Sequence, residues 1–155
     1  MAVISGPVFG SECLFALTIC AYRKPGMDEE AYHQYVSEKH APALTDLMVQ
    51  NKIVGYTVQH NTSETKKMMG QMFAELPESN VADYDCFIHI VFKDVQDFIN
   101  VKNDPHYKQV VIPDHGKFAD QKRTKMVTGW FERHIAEGQA VAAEDGTKAN
   151  GVNGH

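Results

Sequence analysis

The sequence predicts an α+β fold, a four-stranded antiparallel sheet of the ferredoxin-like split βαβ kind with helices on one face. Three observations carry this expectation. Strand-like and helix-like segments follow one another in the order strand, helix, strand, strand, helix, strand. The first strand is a continuous apolar run, which calls for cover on both of its faces. The chain has 155 residues, 43% hydrophobic and 23% charged, the size and make-up of one globular domain.

Residues 14–22 (LFALTICAY) form the apolar run, and Arg23-Lys24-Pro25-Gly26 closes it as a turn. Asp28 is an N-cap, with Glu29 and Glu30 where the helix dipole favours negative charge. Tyr32, Val36, His40, Leu44 and Leu47 then recur on one helical face. Pro42 predicts a kink or break beside His40, because its ring meets the Glu38 carbonyl and disfavours helical geometry at Ala41. Residues 53–61 read as the second strand. Residues 63–76 read as a short amphipathic helix or ordered loop, inserted ahead of a third strand at 84–92. In that strand Asp85, Phe87, His89 and Val91 share one face, and Tyr84, Cys86, Ile88 and Ile90 the other. Asp94 caps a helix over 95–103, Asp104-Pro105 stops it, and a short helical stretch follows at 106–111. Residues 122–134 make the last strand. The expected organisation is a flexible segment at 1–12, a folded domain at 13–135 and a disordered tail at 136–155, whose small polar residues cannot offset chain entropy.

Composition excludes several functions. Fifteen Lys+Arg against twenty Asp+Glu give a net charge of -5 with no basic cluster, which argues against nucleic acid and against an anionic membrane surface. No apolar run approaches the ~20 residues of a spanning helix, and the first ten residues lack the charged start of a secretory signal. Cys13, Cys20 and Cys86 are odd in number and show no metal spacing, so a reducing, cytoplasmic setting without a disulfide framework or a metal is expected. Glycine-rich nucleotide loops and nucleophile elbows are absent from the sequence, which favours chemistry without a cofactor. The apolar second face of the sheet points to a homodimer packed sheet to sheet.

The eight histidines are the unusual count, and they point to acid/base work. His40 stands first, on an apolar helix face beside a proline. His89 would meet it across the interior if its strand face is the one turned to the helices, with Asp85 to orient it. His106 sits in a loop after Asp104-Pro105, and His115 follows Asp114 in the same connection. His33 and His134 read as surface residues and His60 as a strand end. Tyr22, Asp85, Phe87, Met72 and Trp130 are the expected substrate-binding groups, with Tyr56 and Phe92 as further flat walls and Met68, Met69 and Met72 as an adaptable lid.

Arg23-Lys24-Pro25-Gly26-Met27, the helix ending Glu38-Lys39-His40-Ala41-Pro42, and the stretch from Asp104-Pro105-His106-Tyr107 to Asp114 resemble the EthD-like family of dimeric α/β-barrel proteins. Within it the chain is similar to small fungal lyases that dehydrate or decarboxylate aromatic polyketide intermediates. The resemblance implies a ferredoxin-like protomer, a sheet-to-sheet dimer, a pocket between sheet and helices, and a functional role for His40. The expected function is therefore a cofactor-free dehydratase or decarboxylase of an aromatic polyketide, dehydration fitting two-histidine acid/base work more directly. A non-catalytic binder of aromatic ligands and an EthD-type oxidoreductase are the alternatives.

Overall fold

A computed structural model describes residues 13–141 of the chain. Four strands, β1 (Leu14–Ala21), β2 (Gly55–His60), β3 (Cys86–Phe92) and β4 (Lys125–Phe131), form one antiparallel sheet in the order β2-β3-β1-β4. That order is the ferredoxin-like one. β1 is central, and its Leu17 lies opposite Ile90 of β3 and Thr128 of β4. Side chains alternate across each strand, so one row of β1 and β3 (Leu17, Ile88, Ile90, Phe92) turns to the helices. There it packs with Leu44, Leu47, Met48, Val101 and Val111. Burying one such side chain stabilises the fold by about 1.5–3 kcal/mol. A smaller cluster (Ala21, Tyr32, Val36, Cys86, Phe118) continues this layer to the other end of the sheet.

The helical layer contains α1 (Glu29–Tyr35), α2 (Ala41–Gln50), α4 (Val95–Asn103) and α5 (Ile112–Phe118), while α3 (Ser63–Met72) is part of the insertion between β2 and β3. The Asp28 carboxylate caps α1 by accepting from the Ala31 N–H at 3.0 Å. Between α1 and α2 the chain does not break. Residues Val36–His40 form a π-helical turn in which the Ala41 N–H reaches the Val36 carbonyl, and Ala41 keeps helical angles (φ -61, ψ -45). The expected kink at Pro42 is thus replaced by a one-residue widening of the helix, which accommodates the missing N–H without ending the element. The same device recurs at Tyr107–Val111, one residue ahead of Ile112-Pro113. Consequently the stretch expected to end at residue 111 runs on as α5 to Phe118.

Two boundaries differ at the C-terminal side. β4 starts at Lys125 because Asp120 folds the preceding residues into a turn, its Oδ1 accepting from the N–H groups of Lys122 and Arg123 at 3.2 and 3.3 Å. Past β4, strands β5 (Ile135–Ala136) and β6 (Gln139–Ala140) pair across Glu137-Gly138, both at positive φ (52 and 77). Ordered structure therefore extends beyond residue 135. The expectations for residues 1–12 and for 142–155 lie outside the described residues. Among those described, no helix is long and apolar enough to cross a membrane.

Candidate active site

A cavity of about 250 Å³ opens between the sheet and the helical layer. Its floor is the inward row Leu17, Ile19, Ala21, Ile88 and Ile90, and Leu44, Met48, Phe98 and Phe118 wall it from the helices. Lys102, Gln121 and Met126, all exposed, mark its rim. Few polar groups interrupt these walls, chiefly His40, His115, Tyr56 and Tyr107. An apolar hollow with a small set of convergent polar groups is the usual form of a small-molecule site.

His40 closes the first π-helical turn and is only 4% exposed. Its Nδ1 lies 3.0 Å from Oδ2 of Asp114, which the second π-helical segment and Pro113 present from α5. Asp114 also accepts a short hydrogen bond from the Tyr35 hydroxyl at Oδ1, and the Lys117 ammonium stands 3.7 Å from the same oxygen. Burial alone would raise the Asp114 carboxyl, but the hydrogen bonds from Tyr35 and His40 and the Lys117 charge hold it below the usual carboxylate value. An ionised carboxylate only accepts, so Nδ1 of His40 carries the proton and Nε2 keeps its lone pair. Nε2 has no hydrogen-bond partner among the described residues. Burial lowers the His40 pKa, and the Asp114 hydrogen bond and charge recover only part of that shift. His40 is therefore a neutral imidazole with a carboxylate behind it, an arrangement able to accept a proton at Nε2 and to stabilise the resulting imidazolium.

His115, the next residue on α5, has its ring 5.1 Å from that of His40. Burial lowers its pKa, the neighbouring His40 lowers it further, and Asp114 opposes both. Phe118 packs on the His40 ring at 4.6 Å and holds it in place. Tyr56 on β2 is raised to about 12 by burial and by Tyr107 nearby, and burial raises Tyr107 as well. Both phenols stay protonated, and neither hydroxyl has a hydrogen-bond partner among the described residues, so both are donors for a bound oxygen.

The other sequence expectations are placed differently. His89 points to the opposite side of the sheet, across from Thr18 and Thr57 and edge-on to Phe87 at 6.5 Å. It does not meet His40, because the wholly apolar row Cys86, Ile88, Ile90, Phe92 takes the helix side of β3 and alternation sends His89 and Phe87 the other way. His106 lies outside the cavity, bound through Nε2 to the Ala43 carbonyl at 3.0 Å, where it ties the π-helical segment to α2. Asp85 accepts from the Arg23 N–H at 2.8 Å, beside the Arg23 guanidinium at 3.7 Å, and so fixes the turn after β1 instead of orienting an imidazole. The Tyr22 hydroxyl donates to Asp83 at 2.6 Å under the Arg123 guanidinium. Met72 is 67% exposed on α3, and Trp130 stacks edge-on to Phe15 at 5.8 Å. None of Tyr22, Asp85, Phe87, Met72 and Trp130 lines the cavity, nor do Met68 and Met69. Asp114 and Tyr35, which complete the hydrogen-bond set of His40, are residues the sequence reading did not single out for the site. The available signal was Pro113, which follows a five-residue π-helical segment and one further residue, as Pro42 does.

Fold and cavity together define a small α+β protein of ferredoxin-like class that places a carboxylate-backed histidine on an apolar pocket. The chain belongs to the EthD family, since the EthD domain model matches residues 24–122. It is 46% identical over 125 residues to the decarboxylase claH of Passalora fulva, covering 81% of this chain and 80% of that one. It is 43% identical over 129 residues to the conidial pigment biosynthesis dehydratase EthD of Metarhizium robertsii, covering 83% and 89%. Among solved structures, a dimeric protein of ferredoxin-like fold from Bacteroides fragilis superposes with a TM-score of 0.53 at 10% identity, over 79% of this chain and all of that one (100%).

Proposed function

We propose that the chain is a cofactor-independent lyase that removes water from a β-hydroxy ketone of an aromatic polyketide. The observation that carries this reading is the Asp114–His40 pair, whose unprotonated Nε2 is left without a protein partner on an apolar cavity. In the reaction Nε2 takes the acidic α-proton, and the electron pair moves onto the carbonyl oxygen as an enolate. Tyr56, Tyr107 or His115 donates a hydrogen bond to that oxygen. The Asp114 carboxylate stabilises the imidazolium. The enolate then collapses, the C–O bond to the β-hydroxyl breaks, a C=C bond forms, and His40 returns its proton to the departing oxygen as water. Aromatisation drives the step, so the protein mainly orients the groups and excludes water. General acid/base action of this kind contributes ~10²–10⁴-fold.

One observation favours a second reading, decarboxylation of a β-keto acid. The apolar walls would destabilise a bound carboxylate relative to the delocalised enolate left after CO2 departs, and Lys102 at the rim offers a cation to receive the acid. His40 as imidazolium would then protonate carbon. The names of the two fungal relatives cover both reactions. The working form in this proposal is a cytoplasmic homodimer that covers the second sheet face. Incubating the purified protein with hydrated and with carboxylated anthrone-like ketones, followed by product mass, separates the readings. Loss of water supports dehydration and loss of carbon dioxide supports decarboxylation. Tight binding with no mass change makes the protein a carrier and overturns the lyase.

A further inference from the structure

A second group of reactive side chains lies away from the His40 cavity, where β2, β3 and α1 meet. The Nδ1 atoms of His33 on α1 and His60 at the end of β2 are 2.7 Å apart. The sulfur of Cys86, wholly buried at the start of β3, is 3.8 Å from the first and 3.7 Å from the second. One ligand atom from each of the three residues thus falls within 4.8 Å of the others. Nothing in the proposed lyase chemistry uses them. Spacing along the chain could not reveal the group, because it is assembled from three separate elements.

The hydrogen bonding around the group prepares it for a cation. His33 meets the Asn61 carbonyl with Nε2 at 3.1 Å, and a carbonyl only accepts. That nitrogen therefore carries the proton, and Nδ1 of His33 presents a lone pair toward His60 and Cys86. Fixing one ring nitrogen on a backbone carbonyl while the other faces a metal is the usual support for a histidine ligand. Two imidazole nitrogens at 2.7 Å need either a shared proton or a shared cation between them. Tyr32 adds an independent sign. It is wholly buried, and among the described residues the Cys86 sulfur is the one side chain placed to bond its hydroxyl, in a geometry short of a well-formed hydrogen bond. A neutral thiol is a weak acceptor, whereas a metal-bound thiolate would give that hydroxyl an anion to bond. His33 also lines an open hollow with Glu29, Glu30, Glu64 and Lys67, whose three carboxylates outnumber its one ammonium.

We propose that His33, His60 and Cys86 bind a divalent transition-metal ion of the zinc class through two Nδ1 atoms and one thiolate. Mixed nitrogen and sulfur donors select borderline and soft ions over calcium or magnesium. The sulfur-to-nitrogen separations suit a shared tetrahedral ion. The two nitrogens need to part by about 0.6 Å, the difference between 2.7 Å and the ~3.3 Å spanned by two bonds of ~2.0–2.1 Å at the tetrahedral angle. On binding, Cys86 releases its thiol proton to solvent, and the proton shared by the two imidazoles leaves Nδ1 of His60, which is then protonated at Nε2. The ion would join α1 to both strands, which makes its first effect one on stability.

Titrating the full chain with Co²⁺ provides the test, since a bound thiolate gives a sulfur-to-cobalt charge-transfer band and tetrahedral ligation gives intense visible bands. One equivalent per chain should produce both. His60→Gln, at a half-buried strand end, should weaken binding at least about tenfold, and Cys86→Ser should abolish the charge-transfer band. His40→Gln, outside the cluster, should bind as the wild type does. Zn²⁺ should raise the Tm of the wild type and raise that of folded His60→Gln less at the same ion concentration, a readout that holds even where Cys86→Ser folds poorly. Absence of the charge-transfer band in the wild type, or its survival at full intensity in His60→Gln with unchanged affinity, would overturn the site and leave the imidazoles as a simple hydrogen-bonded pair.

Discussion

Asp114 gives one oxygen to the Tyr35 hydroxyl and the other to the His40 ring, so a single carboxylate sets both the tautomer and the orientation of the base. Asp114→Asn removes the acceptor-only partner and lets the imidazole take the other tautomer, with its lone pair turned from the cavity. We expect turnover to fall by ~10²–10⁴. Because the carboxylate raises the His40 pKa, the acid limb of kcat/KM should also move to lower pH in this variant. A carboxylate serving only the fold would lower the yield of folded protein and leave that limb where it was. Stability should carry its own pH signature. Burial holds His40, His60 and His115 below the ordinary histidine value, so each binds a proton more weakly folded than unfolded. Their contribution is intact above about pH 6.5 and is lost as pH falls from there toward the folded values. Urea midpoints should accordingly drop between about pH 6.5 and 5, less steeply in His115→Gln; midpoints flat across that window would contradict the assigned burial. His40 was legible in the sequence because a histidine among helix-face apolar residues is conspicuous. Asp114 was not, since an acidic residue after a proline reads as a loop until the helix around it is seen. His89 was misplaced for want of weighing its strand's two faces, of which the other is apolar throughout.

At the level of elements, the paired π-helical turns explain most of what separates expectation from structure. Pro42 and Pro113 each follow a five-residue widened turn, and neither ends its helix. A proline rule that permits only kinks or stops therefore foretold a kink or break beside His40 and missed α5. The widened turns shape the candidate site, for they bring His40 from one helical segment against Asp114 from the other. The end of α2 offers a cleaner local test. There the N–H groups of Lys52 and Ile53 return to the carbonyls of Val49 and Met48 at 3.1 and 3.0 Å, with Lys52 at φ 64. That Schellman geometry favours glycine at the Lys52 position. A left-handed residue with a Cβ costs roughly 1–2 kcal/mol, and glycine's greater unfolded freedom returns 0.5–1 of it. Lys52→Gly should thus raise unfolding free energy by up to about 1 kcal/mol in denaturant melts. A loss of similar size would show that the lysine side chain holds a contact worth more than the backbone strain.

For the whole molecule, the order of elements and the continuous first strand were enough to foretell the sheet, because a buried central strand is apolar on both faces. The second face bears Leu14, Ala16 and Val91, which form a buried cluster with Phe131, while Val127 on the edge strand β4 is 58% exposed. If this face is the dimer interface, sedimentation should give twice the chain mass at micromolar concentration, and Val127→Glu should shift it to monomer; a wild-type monomer would contradict the barrel. The remaining question for the molecule is whether its cavity does proton chemistry at all. A ketone analogue without the β-hydroxyl cannot eliminate, but its α-hydrogen can still exchange with D2O, and proton NMR follows that loss. The wild type should wash deuterium into the α-carbon, and folded His40→Gln should do so slower by ~10²–10⁴. Exchange at the wild-type rate in folded His40→Gln would contradict the assignment of His40 as the base.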